Sequence, residues 1–168
     1  MHWYKNNITV FLLLLILAGA CSQKTQRKPS AVVPPVLTIK GLSRDSTHIF
    51  HTTATIYNLT SDTMRFAGMS CSYEDFFRTN TNAFAIAPGS LCYKNIPVVI
   101  SIPPYHFLTY PLLISLANRE SNIISGPVRI GMYYIPVRTG EGVDIDVYLH
   151  RTTAPVIWSN ELDLDKIR

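Results

Sequence analysis

Hydrophobic and polar side chains alternate along most of this chain from Val36 onward. The first run, VLTIKGL (Val36 to Leu42), shows the period of two that places successive side chains on opposite faces of a β-strand. Similar runs, rich in β-branched residues and bounded by turn formers, are Thr47 to Leu59, Met64 to Met69, Val98 to Ile102, Leu108 to Leu116, Val128 to Val137, Val143 to Leu149 and Val156 to Leu164. This spacing predicts an all-β fold, an immunoglobulin-like antiparallel β-sandwich of about seven to eight strands.

Three local features refine this pattern. The segment NLTSDT (Asn58 to Thr63) is rich in turn formers, so the strands before and after it are expected to form a hairpin. Pro111 has no backbone N–H to donate, which indicates an edge position or a bulge in its strand. Between Cys71 and Thr79, Ser72 followed three residues later by Asp75 offers a modest N-cap, which indicates a short helix.

A different pattern precedes the strands: the basic residue Lys5 and then a predominantly apolar run from Ile8 to Leu17. The run is shorter than the about 20 residues that a membrane-spanning helix needs. It therefore predicts a signal peptide over residues 1–20 rather than a membrane anchor. Three small residues (AGA) follow, and then Cys21, whose thiol can be acylated. The arrangement resembles a bacterial lipobox and predicts lipidation of Cys21.

Ordinary signal cleavage is the alternative. Ala18 stands where a lipobox most often has Leu, and the same small residues suit the ordinary signal peptidase, which would release a soluble protein with a free Cys21. The chain has three cysteines. Lipidation of Cys21 leaves Cys71 and Cys92 as an even pair, which suits an oxidising compartment. The cysteine count therefore favours the lipoprotein.

Residues 21–35 are polar, basic and proline-bearing without periodicity, which predicts a flexible tether between the lipid and a domain at residues 36–168. Lipoproteins that are exported to the cell surface typically carry acidic residues just after the lipidated Cys. This chain does not resemble them there, because no acidic residue follows Cys21 directly. We therefore expect an outer-membrane lipoprotein that faces the periplasm and is held to the membrane by its lipid anchor.

Charge argues against a nucleic-acid partner. The chain carries 15 Lys and Arg, of which 11 follow Ala31, and all 11 Asp and Glu also follow it. The folded part is therefore neutral, and the net charge of +4 arises from the leader and tether. Nucleic-acid binding needs basic residues clustered on the folded surface.

Cys71 and Cys92 are predicted to form a disulfide. Closing a loop of about twenty residues would stabilise the fold by about 3 kcal/mol in the chain-entropy model. A redox site would favour a Cys-x-x-Cys spacing, and a structural zinc site would need four ligands. Two reduced buried thiols, or a redox or metal function, stay open as alternatives.

No catalytic or cofactor motif is found, so we expect no enzyme activity, no cofactor and no metal. A Gly-x-Ser-x-Gly nucleophile elbow, for example, is missing. Met64, Met69 and Cys71 could together hold Cu(I), although Met on a strand is more often part of the core. The turn from Arg138 to Gly142 could act as the exposed loop of a proteinase inhibitor. These are alternatives to a binding function.

Aromatic residues indicate where a partner could bind. The candidate binding residues around the Cys-bounded loop and the Pro-rich loop are Tyr73, Phe76, Phe77, Tyr105 and Phe107. Rings that stack beside polar side chains can form a platform for a sugar or a peptide. The alternative is that the rings only fill the core.

Four segments carry a resemblance to a known group of proteins. They are MSCSYEDFF (Met69 to Phe77), CYKNIPVVISIPP (Cys92 to Pro104), VRIGMYYIPV (Val128 to Val137) and VIWSNEL (Val156 to Leu162). Together they resemble small lipoproteins of Bacteroides-type Gram-negative bacteria, which implies an immunoglobulin-like sandwich and no assigned activity. The sequence thus predicts a lipid-anchored, non-enzymatic module that binds an unknown envelope protein or glycan.

Overall fold

The structure is a computed structural model that describes residues 33–45, 49–89, 94–117 and 127–162. These residues all lie in one compact unit that begins at Val33. Their strands are β1 (Val36–Arg44), β2 (Ile49–Tyr57), β3 (Met64–Met69), β4 (Phe77–Thr79), β5 (Phe84–Ala87), β6 (Pro97–Ile102), β7 (Phe107–Leu116), β8 (Ile130–Tyr133) and β9 (Val156–Trp158). They also contain the helix α1 (Ile145–Leu149) and two 3₁₀ turns, Tyr73–Phe76 and Arg151–Thr153.

The first layer is an antiparallel sheet in the order β1-β2-β7-β5. This is the order of strands A, B, E and D in immunoglobulin-like sandwiches. Strand β2 shows why the sequence pattern predicted it, since every second side chain faces the core. Those buried side chains are Phe50, Thr52, Ala54 and Ile56. The predicted all-β, immunoglobulin-like sandwich is confirmed.

The second layer is built on an extended segment, residues 128–137, that contains β8. Backbone groups of its even-numbered residues bond toward β9 and the chain that follows β9. Those of its odd-numbered residues bond toward β3 and β4. Because successive residues of a strand point their backbone groups to opposite sides, β3 and β4 lie one after the other along the same side. Strand β6 pairs with β3 and completes the layer.

Both layers contribute side chains to one main core. Its large and deeply buried members include Ile56, Ile102, Leu112, Ile130 and Met132. Burial of one such large side chain contributes about 1.5–3 kcal/mol. A smaller cluster lies on the other face of the second layer, where Met69, Phe76 and Tyr133 contact Val147 and Tyr148 of α1.

The predicted hairpin around Asn58 to Thr63 is wrong. Strand β2 belongs to the first layer, whereas β3 belongs to the second and pairs with β6. The segment instead carries the chain from one layer to the other. The buried side chain of Asn58 fixes this crossing, because its amide donates to the carbonyls of Ile102 and Pro103 at the end of β6. Turn-forming residues alone do not distinguish a hairpin from a crossing.

The helix expected between Cys71 and Thr79 is reduced to the 3₁₀ turn Tyr73–Phe76. Strand β4 begins directly after it, and the Ser72 side chain makes no capping hydrogen bond. Strands β4 and β5 have three and four residues. They are too short to show a periodic pattern, which is why the described residues form nine strands where about seven to eight were predicted.

The strand expected from Val143 to Leu149 is wrong, because this segment contains α1. The Asp144 side chain accepts a hydrogen bond from the Ile145 N–H and so caps the helix. Val147 then packs into the small cluster on the second layer. Apolar residues that alternate over only seven positions fit a short helix as well as a strand. In this segment the cap residue Asp144 favours the helix.

Pro111 lies within β7, opposite Thr53 of β2. Strand β5 pairs only with the far half of β7, from Leu113 to Leu116. Among the described residues, β7 therefore has a neighbour on one side only at Pro111, as an edge position requires. The Tyr73 hydroxyl donates to the Pro111 carbonyl at 2.8 Å.

Candidate functional site

An open groove, which we call the edge groove, lies between β4 of the second layer and β5 of the first. It holds about 720 Å³, which is within the range of about 300–1,000 Å³ typical of ligand sites. Its walls carry charged side chains of both signs, together with hydroxyl and amide groups. The polar residues that matter below are Glu74, Asp75, Arg78, Thr79, Asn82 and Arg151. The groove can therefore contact a partner with either charge.

Strand β5 presents part of its backbone to this groove. It is the last strand of its sheet, so among the described residues it pairs with β7 alone. The Ala83 carbonyl accepts from Ala117 at the end of β7, so alternate residues after Ala83 also face β7. The backbone groups of Phe84 and Ile86 then face the groove. The Thr79 hydroxyl already occupies the Phe84 carbonyl, at 2.8 Å.

Glu74 is the most unusual side chain of the edge groove, since it is only 7% exposed. Its Oε1 atom accepts the backbone N–H of Gly89 at 3.0 Å. Its Oε2 atom is buried and has no hydrogen-bond partner among the residues that the structure describes. A buried carboxylate oxygen without a partner costs free energy, of the order of 1–3 kcal/mol.

Asp75, Tyr148 and Arg151 form a network at one end of the groove. The Tyr148 hydroxyl donates to Asp75 Oδ2 at 2.7 Å, and the Arg151 Nε–H donates to the Asp75 carbonyl at 2.9 Å. The Arg151 guanidinium also lies 4.0 Å from the Tyr148 ring centroid. The hydrogen bond to Asp75 raises the pKa of Tyr148, and burial adds to the rise. These contacts attach the segment after α1 to the 3₁₀ turn and hold the groove wall in place.

Tyr73 is turned away from this groove and stacks on Tyr110. The ring centroids are 4.7 Å apart with an angle of 27° between the rings. Phe77 meets the same Tyr110 ring edge-on at 5.9 Å. Burial raises the pKa of Tyr110 to about 12, and the nearby Tyr73 contributes to the rise. The three rings thus belong to the packing between the two layers.

The five aromatic residues predicted as a platform lie in two places. Phe76 and Phe77 are 4% and 6% exposed, so their rings lie in the interior. Tyr105 and Phe107, in contrast, are 72% and 62% exposed. The structure therefore separates Tyr73, Phe76 and Phe77 from the other two rings. A binding role for any of them stays a prediction.

Tyr105 and Phe107 belong to an exposed apolar surface at one end of the sandwich, which we call the aromatic end. Its members are Val33, Val36, Leu59, Tyr105 and Phe107, all of them exposed. The strand registers place them together, because Val36 lies opposite Tyr57, which in turn lies opposite Phe107. The Phe107 ring also contacts the Tyr57 ring at 5.7 Å.

Asn58 holds the two loops of the aromatic end together. It is 1% exposed, and its amide nitrogen donates to the carbonyls of Asp62, Ile102 and Pro103. Its side-chain oxygen accepts from both the N–H and the hydroxyl of Thr60. One buried amide therefore fixes the loop after β2 to the loop before β7.

Cys71 is disulfide-bonded in the structure. Its partner lies outside the described residues, as do both Cys21 and Cys92. The bridge to Cys92 and the lipidation of Cys21 therefore stay predictions.

The structure also shows the surroundings of the residues considered for copper handling and for proteinase inhibition. Met64 and Met69 are buried, at 9% and 4% exposure. Within the described ranges, no three His, Cys, Asp or Glu side chains come together as a metal-binding group. The turn from Arg138 to Gly142 is exposed, and Thr139 within it accepts a hydrogen bond from Arg65. These placements do not test copper handling or proteinase inhibition, and both stay predictions.

The residues of the edge groove could not be selected from the sequence. Asp75 and Arg151 are 76 positions apart in the chain, yet they are hydrogen-bonded. In the sequence Asp75 indicates a helix start together with Ser72, and no pattern marks Glu74 or Asp75 as the wall of a groove. The adjacent acidic pair inside an aromatic-rich segment was the only available signal.

Comparison with known proteins does not assign a family. No protein-family model matches this chain, and no curated protein is significantly similar to it. The part of the chain that the structure describes contains no helix long and apolar enough to cross a membrane. The resemblance to small lipoproteins of Bacteroides-type bacteria stays a prediction.

Proposed function

We propose that this protein is a lipid-anchored protein of the bacterial envelope whose immunoglobulin-like domain binds an extended segment of another envelope protein. The domain acts as a binding module and catalyses no reaction. The observation that carries this proposal is the backbone of β5, whose outward groups face the edge groove. The lipobox-like sequence ending at Cys21 supports the anchor and the outer-membrane location.

A protein segment fits the groove better than a glycan does. An extended peptide can add to the edge of a sheet by bonding to its outward backbone groups, a common mode of peptide recognition. In β5 the N–H groups of Phe84 and Ile86 and the carbonyl of Ile86 face outward for such bonds. Because the Phe84 carbonyl is held by Thr79, the pairing would centre on Ile86.

The charged walls would then select the side chains of the partner. Glu74 and Asp75 lie on the same wall. These acidic side chains would favour a Lys or Arg side chain on the added segment. Arg78 and Arg151, also in the groove, would favour an acidic group elsewhere on the same segment.

Site-specific crosslinking tests this proposal. A photo-reactive amino acid replaces the exposed Asn82 in the groove of the full-length protein, produced in a Bacteroides-type host. A second protein carries the same group at Ser43, which is exposed on β1. We expect one protein partner to crosslink to position 82 and not to position 43, and mass spectrometry identifies it.

Two variants at Ile86 decide whether a strand is added. Ile86→Pro removes the outward N–H but leaves the bonds to β7, which are made by the neighbouring residues. Ile86→Val keeps the N–H and serves as the matched control. Crosslinking at position 82 should disappear in the Pro variant and persist in the Val variant, with both proteins folded by circular dichroism. Crosslinking that persists in both, or crosslinks to glycan alone, would refute strand addition.

A further inference from the structure

The exposed apolar residues of this domain are concentrated where the tether joins it. Among the described residues, the aromatic end contributes five of the nine large apolar side chains that are exposed, and Val33, the first described residue, is one of them. Tyr105, Phe107 and Leu59 are the most exposed of the set, each above 60%. The chain therefore enters the domain beside the aromatic end.

The chain before Val33 limits how far this surface can lie from the lipid. Cys21 and Val33 are separated by about twelve residues, which span at most about 40 Å when fully extended. Most of the edge groove lies farther from the tether than the aromatic end does. Ala85 of β5 lies beside Ser115, eight positions along β7 from Phe107, or about 27 Å at about 3.4 Å per residue.

Tyr105 is held in a backbone conformation that disfavours its side chain. It occupies the third position of a turn closed by the His106 N–H and the Pro103 carbonyl, with φ of 59°. Gly or Asn is usual at such a position, because a Cβ atom makes the left-handed conformation costly. A large exposed aromatic side chain at a strained position indicates a role outside the fold.

The chemistry of this surface matches the interfacial region of a bilayer. Tyr and Phe carry large apolar rings, and Tyr adds a polar hydroxyl, a combination that favours the boundary between lipid and water. In the two loops concerned, Asp62 is the only formally charged side chain at neutral pH. In the sequence just before Val33, the tether is basic at Lys24, Arg27 and Lys28, which suits anionic lipid headgroups.

We infer that the aromatic end rests on the surface of a phospholipid bilayer, with Leu59, Tyr105 and Phe107 inserted among the headgroups. This inference rests on the proposed lipid anchor at Cys21. Insertion of these side chains adds an apolar contact with the bilayer to the attachment that the lipid supplies. The contact also orients the domain, because it directs the edge groove away from the membrane and toward a partner.

Tryptophan quenching by brominated phospholipids tests the inference. The mature, lipidated protein is reconstituted into vesicles of phosphatidylethanolamine and phosphatidylglycerol. One variant carries Phe107→Trp together with Trp158→Phe, so that it reports from the aromatic end. The unmodified protein reports from Trp158, which pairs with Gly131. Gly131 lies about 20 Å along the second layer from Val137, whose N–H bonds to Arg65 at the start of β3, just after the loop that carries Leu59. We expect several-fold stronger quenching at position 107 than at position 158.

Two double variants, made in the Phe107→Trp background, identify the source of the contact. Leu59→Ser with Tyr105→Ser should reduce the quenching at position 107. Ile145→Ser with Leu149→Ser serves as the matched control and should leave it unchanged, because both residues are exposed on α1. Equal quenching at positions 107 and 158, or no effect of the first pair, would overturn the inference.

Intact mass of the mature N-terminus separates this failure from that of the proposed function. If Cys21 is not acylated, the proposed anchor fails and the inference fails with it. If Cys21 is acylated and position 107 is not quenched, only the inference fails. Crosslinking in the edge groove is measured independently of both.

Discussion

Replacement of Asn58 by Ala should be among the most damaging single changes in this domain. The Asn58 side chain makes five hydrogen-bond contacts, three through its amide nitrogen and two through its oxygen. The amide has two hydrogens, so its three contacts share them and about four net bonds are lost. At about 1 kcal/mol for each bond, the free energy of unfolding should fall by about 3–4 kcal/mol.

Asn58→Asp should be worse at neutral pH. A carboxylate cannot donate, so it would face the carbonyls of Asp62, Ile102 and Pro103 as a buried charge. Part of the loss should be recovered in acid, since a protonated carboxyl can donate one hydrogen bond. The recovery distinguishes lost donors from lost packing, because Asp and Asn have almost the same shape.

Urea unfolding followed by circular dichroism provides the measurement. Asn82→Ala is the matched control, because Asn82 is exposed and its loss should cost less than about 0.5 kcal/mol. A cost below about 1 kcal/mol for Asn58→Ala, or an Asp variant as stable as the Ala variant at pH 7, would contradict the reasoning.

Three further changes have defined outcomes. Tyr105→Gly should stabilise the domain by about 1 kcal/mol, because it relieves the left-handed strain; unchanged urea unfolding would contradict this. Cys71→Ser should lower stability by about 2–5 kcal/mol, and peptide mapping without reductant should show the bridge to Cys92; two free thiols would refute it. The pKa of Tyr110 is raised to about 12 from an ordinary 10.0. The un-ionised hydroxyl therefore contributes to the free energy of unfolding fully below pH 10, and this contribution is lost as the pH rises toward 12. Tyr110→Phe should remove about 1–2 kcal/mol of this alkaline destabilisation in urea titrations, and identical pH profiles would contradict it.

The strand predictions succeeded where a strand is long and has one buried face. Strand β3 was predicted with its observed bounds, and β1, β2, β6 and β7 differ by two residues or fewer at each end. Their alternation reflects a physical requirement, since one face must leave water and the other need not. Pro111 likewise indicated its edge position, because the missing N–H is a local property.

The predictions failed where the outcome depends on a distant residue. The segment after β2 crosses between layers because Asn58 finds carbonyls on β6, and nothing in the local turn chemistry specifies that partner. The segment that forms α1 could have been a strand, and it became a helix when Asp144 capped it and Val147 met the small cluster.

The sequence by itself determined the all-β class, the main strands and, as a prediction, the lipid attachment, because each rests on a local pattern of side chains. Only the tertiary structure decided which surfaces exist. It brought Asp75 to Arg151, left the outer edge of β5 facing a charged groove, and separated the buried Phe76 and Phe77 from the exposed Tyr105 and Phe107. Side-chain type is local, but burial and the free edge of a strand depend on which strands pack together.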